Sequence, residues 1–296
     1  MKDTKEIKEA KKETSLLDEI LCDRRLMNEL HALDVDDSEV GKYLPLLATY
    51  LDQRAAEEDP RHELVAPYPG MTMKLCIDDS GKLSYVLGPN EETKRKQAIE
   101  NNFIYRDYPK SWADLSFETL KALRFFQVRV ALRKTLDKNS PKPWVFVKGK
   151  SGSGKSYCFA AYLNQMASAG RLVCFINGAR RFDELRNLAI KNRDEFDRIM
   201  SLLQKCDLMV IDDFGNEFKS EYVRDQILFP ILSERSRARL GTFFTSQYSL
   251  EDIKRLYSIH NSYIEGAKIS NLIEKNIDRV ITLEPGIETV SQKRAK

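Results

Sequence analysis

The apolar run Trp144-Val-Phe-Val147 leads within two residues into Gly149-Lys-Ser-Gly-Ser-Gly-Lys-Ser156. A G-x-x-x-x-G-K-[ST] loop works only between a buried strand and the start of a helix, so it constrains the fold of the second half of the chain. Gly149, Gly152 and Gly154 permit backbone conformations and close approaches that a Cβ would block. Successive N–H groups can then turn inward around phosphate oxygens. A helix beginning near Lys155 adds its unpaired N–H groups and positive dipole end. The candidate nucleotide-binding set is Gly149, Lys150, Ser151, Gly152, Ser153, Gly154, Lys155, Ser156 and Tyr157. Within it, Lys155 is expected to reach the β- and γ-phosphates of ATP and Ser156 to hold Mg²⁺. A Gly/Ser-rich surface turn is the competing reading, and the apolar strand on one side and the helical pattern on the other argue against it.

A chain of 296 residues suffices for one large domain or two smaller ones. It has no run of about eighteen apolar residues, so no membrane-spanning helix is expected. Met1-Lys-Asp-Thr-Lys-Glu6 lacks a signal peptide's apolar stretch, and a cytoplasmic protein without a membrane partner is expected. Cys22, Cys76, Cys158, Cys174 and Cys206 form no Cys-x-x-Cys pair, and His31, His62 and His260 are equally dispersed. That scatter predicts reduced thiols and no zinc. The net charge of +3 neither requires nor excludes nucleic acid.

Residues 1–14 are nearly all polar and read as a solvated end. One helical pattern then runs through Leu16, Leu17, Ile20, Leu21, Met27 and Leu30. A second starts at Asp37-Ser38, carries Val40 to Leu51, and stops at Asp59-Pro60-Arg61-His62. Met73–Ile77 and Leu83–Leu87, separated by Asp78-Asp-Ser-Gly81, predict a β-hairpin. Residues 89–102 read as a linker or exposed helix. A boundary is expected before Tyr108-Pro109, giving domains of 1–108 and 109–296.

Beyond the boundary, strands are expected at Trp144–Lys148, Leu172–Asn177, Leu208–Asp212, Thr242–Ser246 and Arg279–Leu283. Helical patterns fall near 115–137, 155–168, 180–205, 219–236, 249–257 and 268–277, with a kink at Pro230. This alternation predicts an α/β fold, a parallel sheet flanked by helices, beside a small N-terminal α+β domain. Leu208-Met-Val-Ile-Asp-Asp213 is a buried strand ending in two carboxylates, at the strand end where parallel sheets present ligands. Asp212 is the candidate second Mg²⁺ residue, and Asp213 the group that polarises the attacking water. Gln247, after the strand Thr242–Ser246, is a candidate contact to the γ-phosphate or its water. The clusters Arg180-Arg181 and Arg235/Arg237/Arg239 could meet a nucleic-acid backbone or a neighbouring subunit's nucleotide, and solvated helix faces explain them equally well.

Several stretches resemble bacterial primosomal helicase loaders of the DnaI/DnaC type, the DnaI branch more closely. They are Gly149–Ser156, Leu208–Gly215, Tyr222-Val-Arg-Asp225, Ile231–Arg235, Leu240–Ser246 and Leu272-Ile-Glu-Lys275. The resemblance implies an AAA+ ATPase core without a helical lid. It also implies single-stranded DNA binding and an N-terminal domain that docks on the hexameric replicative helicase, with self-association among the expectations. The chain departs from the family in three places. Cys76 stands alone where the family carries a zinc site. Gln247 replaces the usual asparagine. Asn271 and Lys275 replace arginines that sense or reach a nucleotide, which leaves Arg235 as the candidate trans-acting arginine and predicts slow hydrolysis. The rival readings are an ATPase helper of a transposase, which shares the core, a small-molecule kinase, and a non-catalytic adaptor.

Overall fold

The computed structural model describes residues 15–59, 66–135, 143–261 and 263–284. The charged 1–14 segment and the Pro60-Arg61-His62 stop lie outside the described residues. The chain forms two compact units, dividing between Lys96 and Gln97.

In the first unit a helix over 15–22 (α1) stops one residue before α2 (Arg24–His31). Asp23 breaks the single helix expected here. Its carboxylate accepts from the N–H groups of Arg25 and Leu26, which caps α2 and ends α1. A 3₁₀ turn, Asp37–Tyr43, leads into α3 (Leu44–Glu58). The predicted hairpin is present as β1 (Met71–Ile77) and β2 (Leu83–Pro89), antiparallel, with Met73 opposite Leu87 and Ile77 opposite Leu83. Its turn is fastened by Asp78 Oδ1, which accepts from Ser80 N–H and Lys82 N–H, and Gly81 supplies the positive φ. Ile20, Leu26, Leu30, Val40, Leu47, Met73 and Leu83 form the core of this unit. Gln53 is buried within it and clamps α3 to the approach of β1, bonding the backbone of Tyr68 and Met71. Helix α4 (Glu91–Asn101) spans the division between the units.

The second unit is built on a six-stranded parallel sheet. Its strands are β3 (Phe103–Arg106), β4 (Trp144–Lys148), β5 (Val173–Asn177), β6 (Leu208–Asp212), β7 (Gly241–Ser246) and β8 (Ile277–Thr282). They lie in the order β3-β5-β6-β7-β4-β8. Alternate residues of the central strands β4, β5, β6 and β7 feed two separate cores. Trp144, Phe146, Met209, Ile211 and Phe244 face one layer of helices, and Val145, Val147, Leu208, Val210 and Phe243 face the other. That two-sided burial is why these strands read as unbroken apolar runs.

One layer holds α5 (Phe126–Lys134) and α6 (Lys155–Ser168), and the other holds α7 (Gly178–Lys191), α8 (Arg193–Lys205), α9 (Phe229–Arg237), α10 (Leu250–Tyr257) and α11 (Tyr263–Asn276). The pattern expected as one helix over 180–205 is two, because Asn192 is extended (φ −152°) and its side chain caps α8 by accepting from Glu195 N–H. Around Pro230 the expected kink takes the form of a π-helical segment, Val223–Leu228, ahead of α9. Proline lacks the donor and crowds the carbonyl four residues back, and wider i→i+5 bonding relieves that crowding. Strand β3 was not among the expected strands. It is short, lies at the sheet edge and falls between the stretch 89–102, read as a linker or exposed helix, and the boundary expected before Tyr108. After β7 the described residues hold only α10, a 3₁₀ turn, α11 and β8, and no helical lid is among them.

Candidate nucleotide site

All six strands are parallel, so their carboxyl ends gather on one edge of the sheet. The loop 149–154 leaves the end of β4 there and turns into α6. Gly152 and Gly154 have φ of +78° and +92°. A Cβ on Gly149 would lie 2.2 Å from the Leu283 carbonyl oxygen. The loop therefore requires glycine at these positions on conformational and steric grounds.

Lys155 is folded into the loop. Its Nζ donates to the carbonyls of Gly149 (2.7 Å) and Lys150 (2.8 Å). Burial pushes its ammonium below the usual lysine range, and Asp212 and Asp213 oppose the shift. Ser156 Oγ donates to Asp212 Oδ1 at 2.6 Å, and Thr245 Oγ1 donates to the same oxygen at 2.7 Å. Burial raises the Asp212 carboxyl above the usual range, and these two hydrogen bonds pull it back. Asp213 follows with a left-handed backbone (φ +56°), and its N–H donates to Thr245 Oγ1. Gln247 is exposed just past the end of β7.

These groups border one cavity of about 640 Å³. Its polar floor comprises Ser151, Gly152, Gly154, Lys155, Ser156, Asp212, Asp213, Thr245 and Gln247. The other wall is Trp112, Ala122, Arg124, Phe125 and Tyr157. Trp112 packs edge-on to Tyr157 (5.6 Å between centroids), and the Arg124 guanidinium lies 4.6 Å from the Phe125 ring centroid. Ser153 is wholly buried beneath the loop, beside Gly149.

Of the residues singled out from sequence, the structure brings together Lys155, Ser156, Asp212, Asp213, Gln247 and Tyr157 around this cavity. It does not bring Arg235. That side chain is fully buried and donates to Thr242 Oγ1 and to the carbonyls of Leu203, Cys206 and Gly241, at 2.7–2.9 Å. Thr242 and Gly241 begin β7, so Arg235 lies at the opposite end of the sheet from the phosphate loop. The expectation of a trans-acting arginine at 235 is corrected on that ground. Arg180 and Arg181 are likewise engaged, both pairing with the buried Asp107 carboxylate. Among the described residues no three His, Cys, Asp or Glu side chains converge as metal ligands, and His62 lies outside them.

Sequence reasoning missed Asn177, Thr245 and, of the aromatic wall, Trp112 and Phe125. Asn177 ends β5, pairs in register with Asp212 and lines the cavity. Its position as the last residue of a parallel strand was a usable signal. Phe125 had none, because 115–137 reads as a helix whereas Leu123–Phe125 is a 3₁₀ turn.

Fold and cavity together define a P-loop ATPase of the AAA+ class. The chain belongs to the family of IstB-like ATP binding proteins, whose family model matches residues 93–264. It is 21% identical over 254 residues to the replicative helicase loader DnaI of Bacillus subtilis (strain 168), a match spanning 81% of this chain and 80% of that protein. It is 26% identical over 108 residues to the replicative helicase loader DnaC of Escherichia coli (strain K12), spanning 36% of this chain and 44% of that protein. A crystal structure of DnaI superposes with a TM-score of 0.54 at 22% identity, covering 62% of this chain and 99% of that one, and so shares the fold. Among the described residues no helix is long and apolar enough to cross a membrane.

Proposed function

We propose that the protein is an ATP-dependent loader of the replicative DNA helicase. One observation carries this reading. A match over 81% of the chain is longer than the unit Gln97–Lys296, so the likeness to DnaI reaches into the N-terminal unit. The IstB-like model, by contrast, covers residues 93–264, almost wholly within the ATPase unit. An ATPase helper of a transposase shares the core, so the N-terminal helices and hairpin favour the loader. The loader reading gives the first unit its task, docking on the hexameric helicase, and the second unit ATP and single-stranded DNA.

In this reading ATP lies in the 640 Å³ cavity, its phosphates on the loop and its base toward Trp112, Phe125 and Tyr157. Lys155 leaves the Gly149 and Lys150 carbonyls to meet the β- and γ-phosphates. Ser156 and Asp212, already joined at 2.6 Å, are a hydroxyl and a carboxylate that suit Mg²⁺ and would hold it. When bound, the ion neutralises phosphate charge. Asp213 orients the attacking water, with Gln247 beside the γ-phosphate. The water oxygen bonds to the γ-phosphorus as the bond to the β–γ bridging oxygen breaks. ADP leaves with that electron pair, and the water's proton passes through Asp213 to the products. With Arg235 confined to the core, hydrolysis is slow, and ATP acts chiefly through its differential affinity for two states of the loader. The protein works in the cytoplasm.

The test is light-scattering chromatography of the protein with the replicative helicase of the same cell, with and without ATP and single-stranded DNA. A stoichiometric, ATP-dependent complex that Lys155→Ala abolishes is the expected result. No complex under any nucleotide condition would overturn the loader reading in favour of the transposase helper.

A further inference from the structure

The turn after β6 carries a contact that the phosphate chemistry above does not use. Asn216 Nδ2 donates to Asp213 Oδ1 at 2.6 Å, and Asn216 Oδ1 accepts from the Tyr248 hydroxyl at 3.0 Å. A carboxylate only accepts, so the amide orientation follows from the network. Asn216 N–H also donates to the Asp213 carbonyl, closing the turn. Two features make the turn rigid. Asp213 has φ +56° and Gly215 φ +98°. The Tyr248 ring lies over Gly215 so closely that a Cβ there would be 2.7 Å from its Cδ2. Tyr248 directly follows Gln247, which lines the same cavity as Asp213.

We infer that Asn216 is a positioning residue for ATP hydrolysis, fixing the Asp213 carboxylate and tying it through Tyr248 to the turn that carries Gln247. The inference rests on the reading of Asp213 as the water-orienting acid. A short carboxylate at the end of a strand has two soft side-chain torsions. One oxygen held by Asn216 leaves the other directed by the turn, so the amide sets where a water can be received. Near-attack geometry is demanding enough that a displacement of about 1 Å costs up to about 10²-fold in rate. Asn216 is itself exposed and contributes nothing to the core, so its loss should be felt in catalysis and not in folding.

The experiment compares Asn216→Ala, Tyr248→Phe, the double variant and Asp213→Asn with the wild-type chain, measuring kcat, KM for ATP, equilibrium ATP binding and Tm. Asn216→Ala is expected to lower kcat about tenfold while leaving ATP binding within about twofold and Tm unchanged. Tyr248→Phe, which removes one hydroxyl, is expected to lower kcat less. The double variant should be no slower than Asn216→Ala, because both act through one contact. An unchanged kcat in Asn216→Ala beside an inactive Asp213→Asn would overturn the relay alone. A loss shared equally by kcat, ATP binding and Tm would also overturn it, as would additive effects in the double variant. A wild-type rate in Asp213→Asn would overturn the reading of Asp213 itself, and the inference with it.

Discussion

The two ends of the parallel sheet each bury a cation, and they treat it differently. At the amino end Arg235 is wholly enclosed, and each of its three guanidinium nitrogens donates to a protein acceptor, four good oxygen partners in all. At the carboxyl end Lys155 is nearly as buried but has only two carbonyls, both belonging to the loop that would release it. The carboxyl end also gathers the left-handed Asp213, the positive-φ Gly152, Gly154 and Gly215, and two buried side-chain oxygens without hydrogen-bond partners among the described residues, Ser153 Oγ and Glu217 Oε1. A saturated buried charge organises a core. An under-satisfied one, set in a strained backbone, is held ready for a ligand.

Removing each cation should separate the two roles. Lys155→Ala takes away the proposed phosphate ligand and frees the Gly149 and Lys150 carbonyls. ATP turnover is expected to fall by about 10²–10³-fold, with Tm nearly unchanged, as read by phosphate release and calorimetry. A large loss of Tm would mean that Lys155 is structural after all. Arg235→Ala should do the reverse. It strands several buried carbonyls and the Thr242 hydroxyl, and a loss of about 3–5 kcal/mol in unfolding free energy is expected. The folded fraction should keep its kcat. If Arg235→Ala were instead stable but slow in a way that wild-type subunits rescued, Arg235 would be reaching a neighbour's nucleotide and the contrast between the ends would fail.

The same contrast explains how much could be read in advance. The phosphate loop and the strand Leu208–Asp212 were legible because their residue types are dictated locally: glycine by backbone angle and close approach, apolar residues by two-sided burial, aspartate by the strand end. The buried strands β4 and β6 have the bounds the apolar runs predict. Arg235 was misread because an arginine in a basic stretch at a helix end carries no local mark of burial. Its acceptors come from α8 and β7, brought together only by the fold. Strand β3 was missed for a related reason, since an edge strand of four half-buried residues lacks the apolar run that marks a central one. Asp23 and Asn192 broke helices that periodicity alone made continuous, because a cap outweighs a pattern that the next helix resumes.

The smallest expected effect tests whether the carboxyl end really carries a stability cost. Glu217 is 2% exposed, and its Oε2 accepts from Gly215 N–H while Oε1 has no partner. Burial raises its carboxyl above the ordinary glutamate range, opposed by Lys219 and the Gly215 N–H. Lys219 is itself spent on the carbonyls of Gly215 and Glu217. A glutamate with a raised folded-state pKa contributes its full stability below the unfolded value, and that contribution is lost as pH rises through the folded value. Glu217→Gln keeps the acceptor for Gly215 and removes the charge. The variant is therefore expected to melt about 2–4 °C higher than the parent at pH 7.5, a gain of about 1 kcal/mol. The gap should close as pH falls toward the ordinary glutamate range, which calorimetry between pH 4.5 and 8 can follow. A variant whose deficit in stability grew as pH rose would show that the turn needs the carboxylate as an anion. The strain at this end would then lie in the backbone of Asp213 and Gly215 and not in a buried charge.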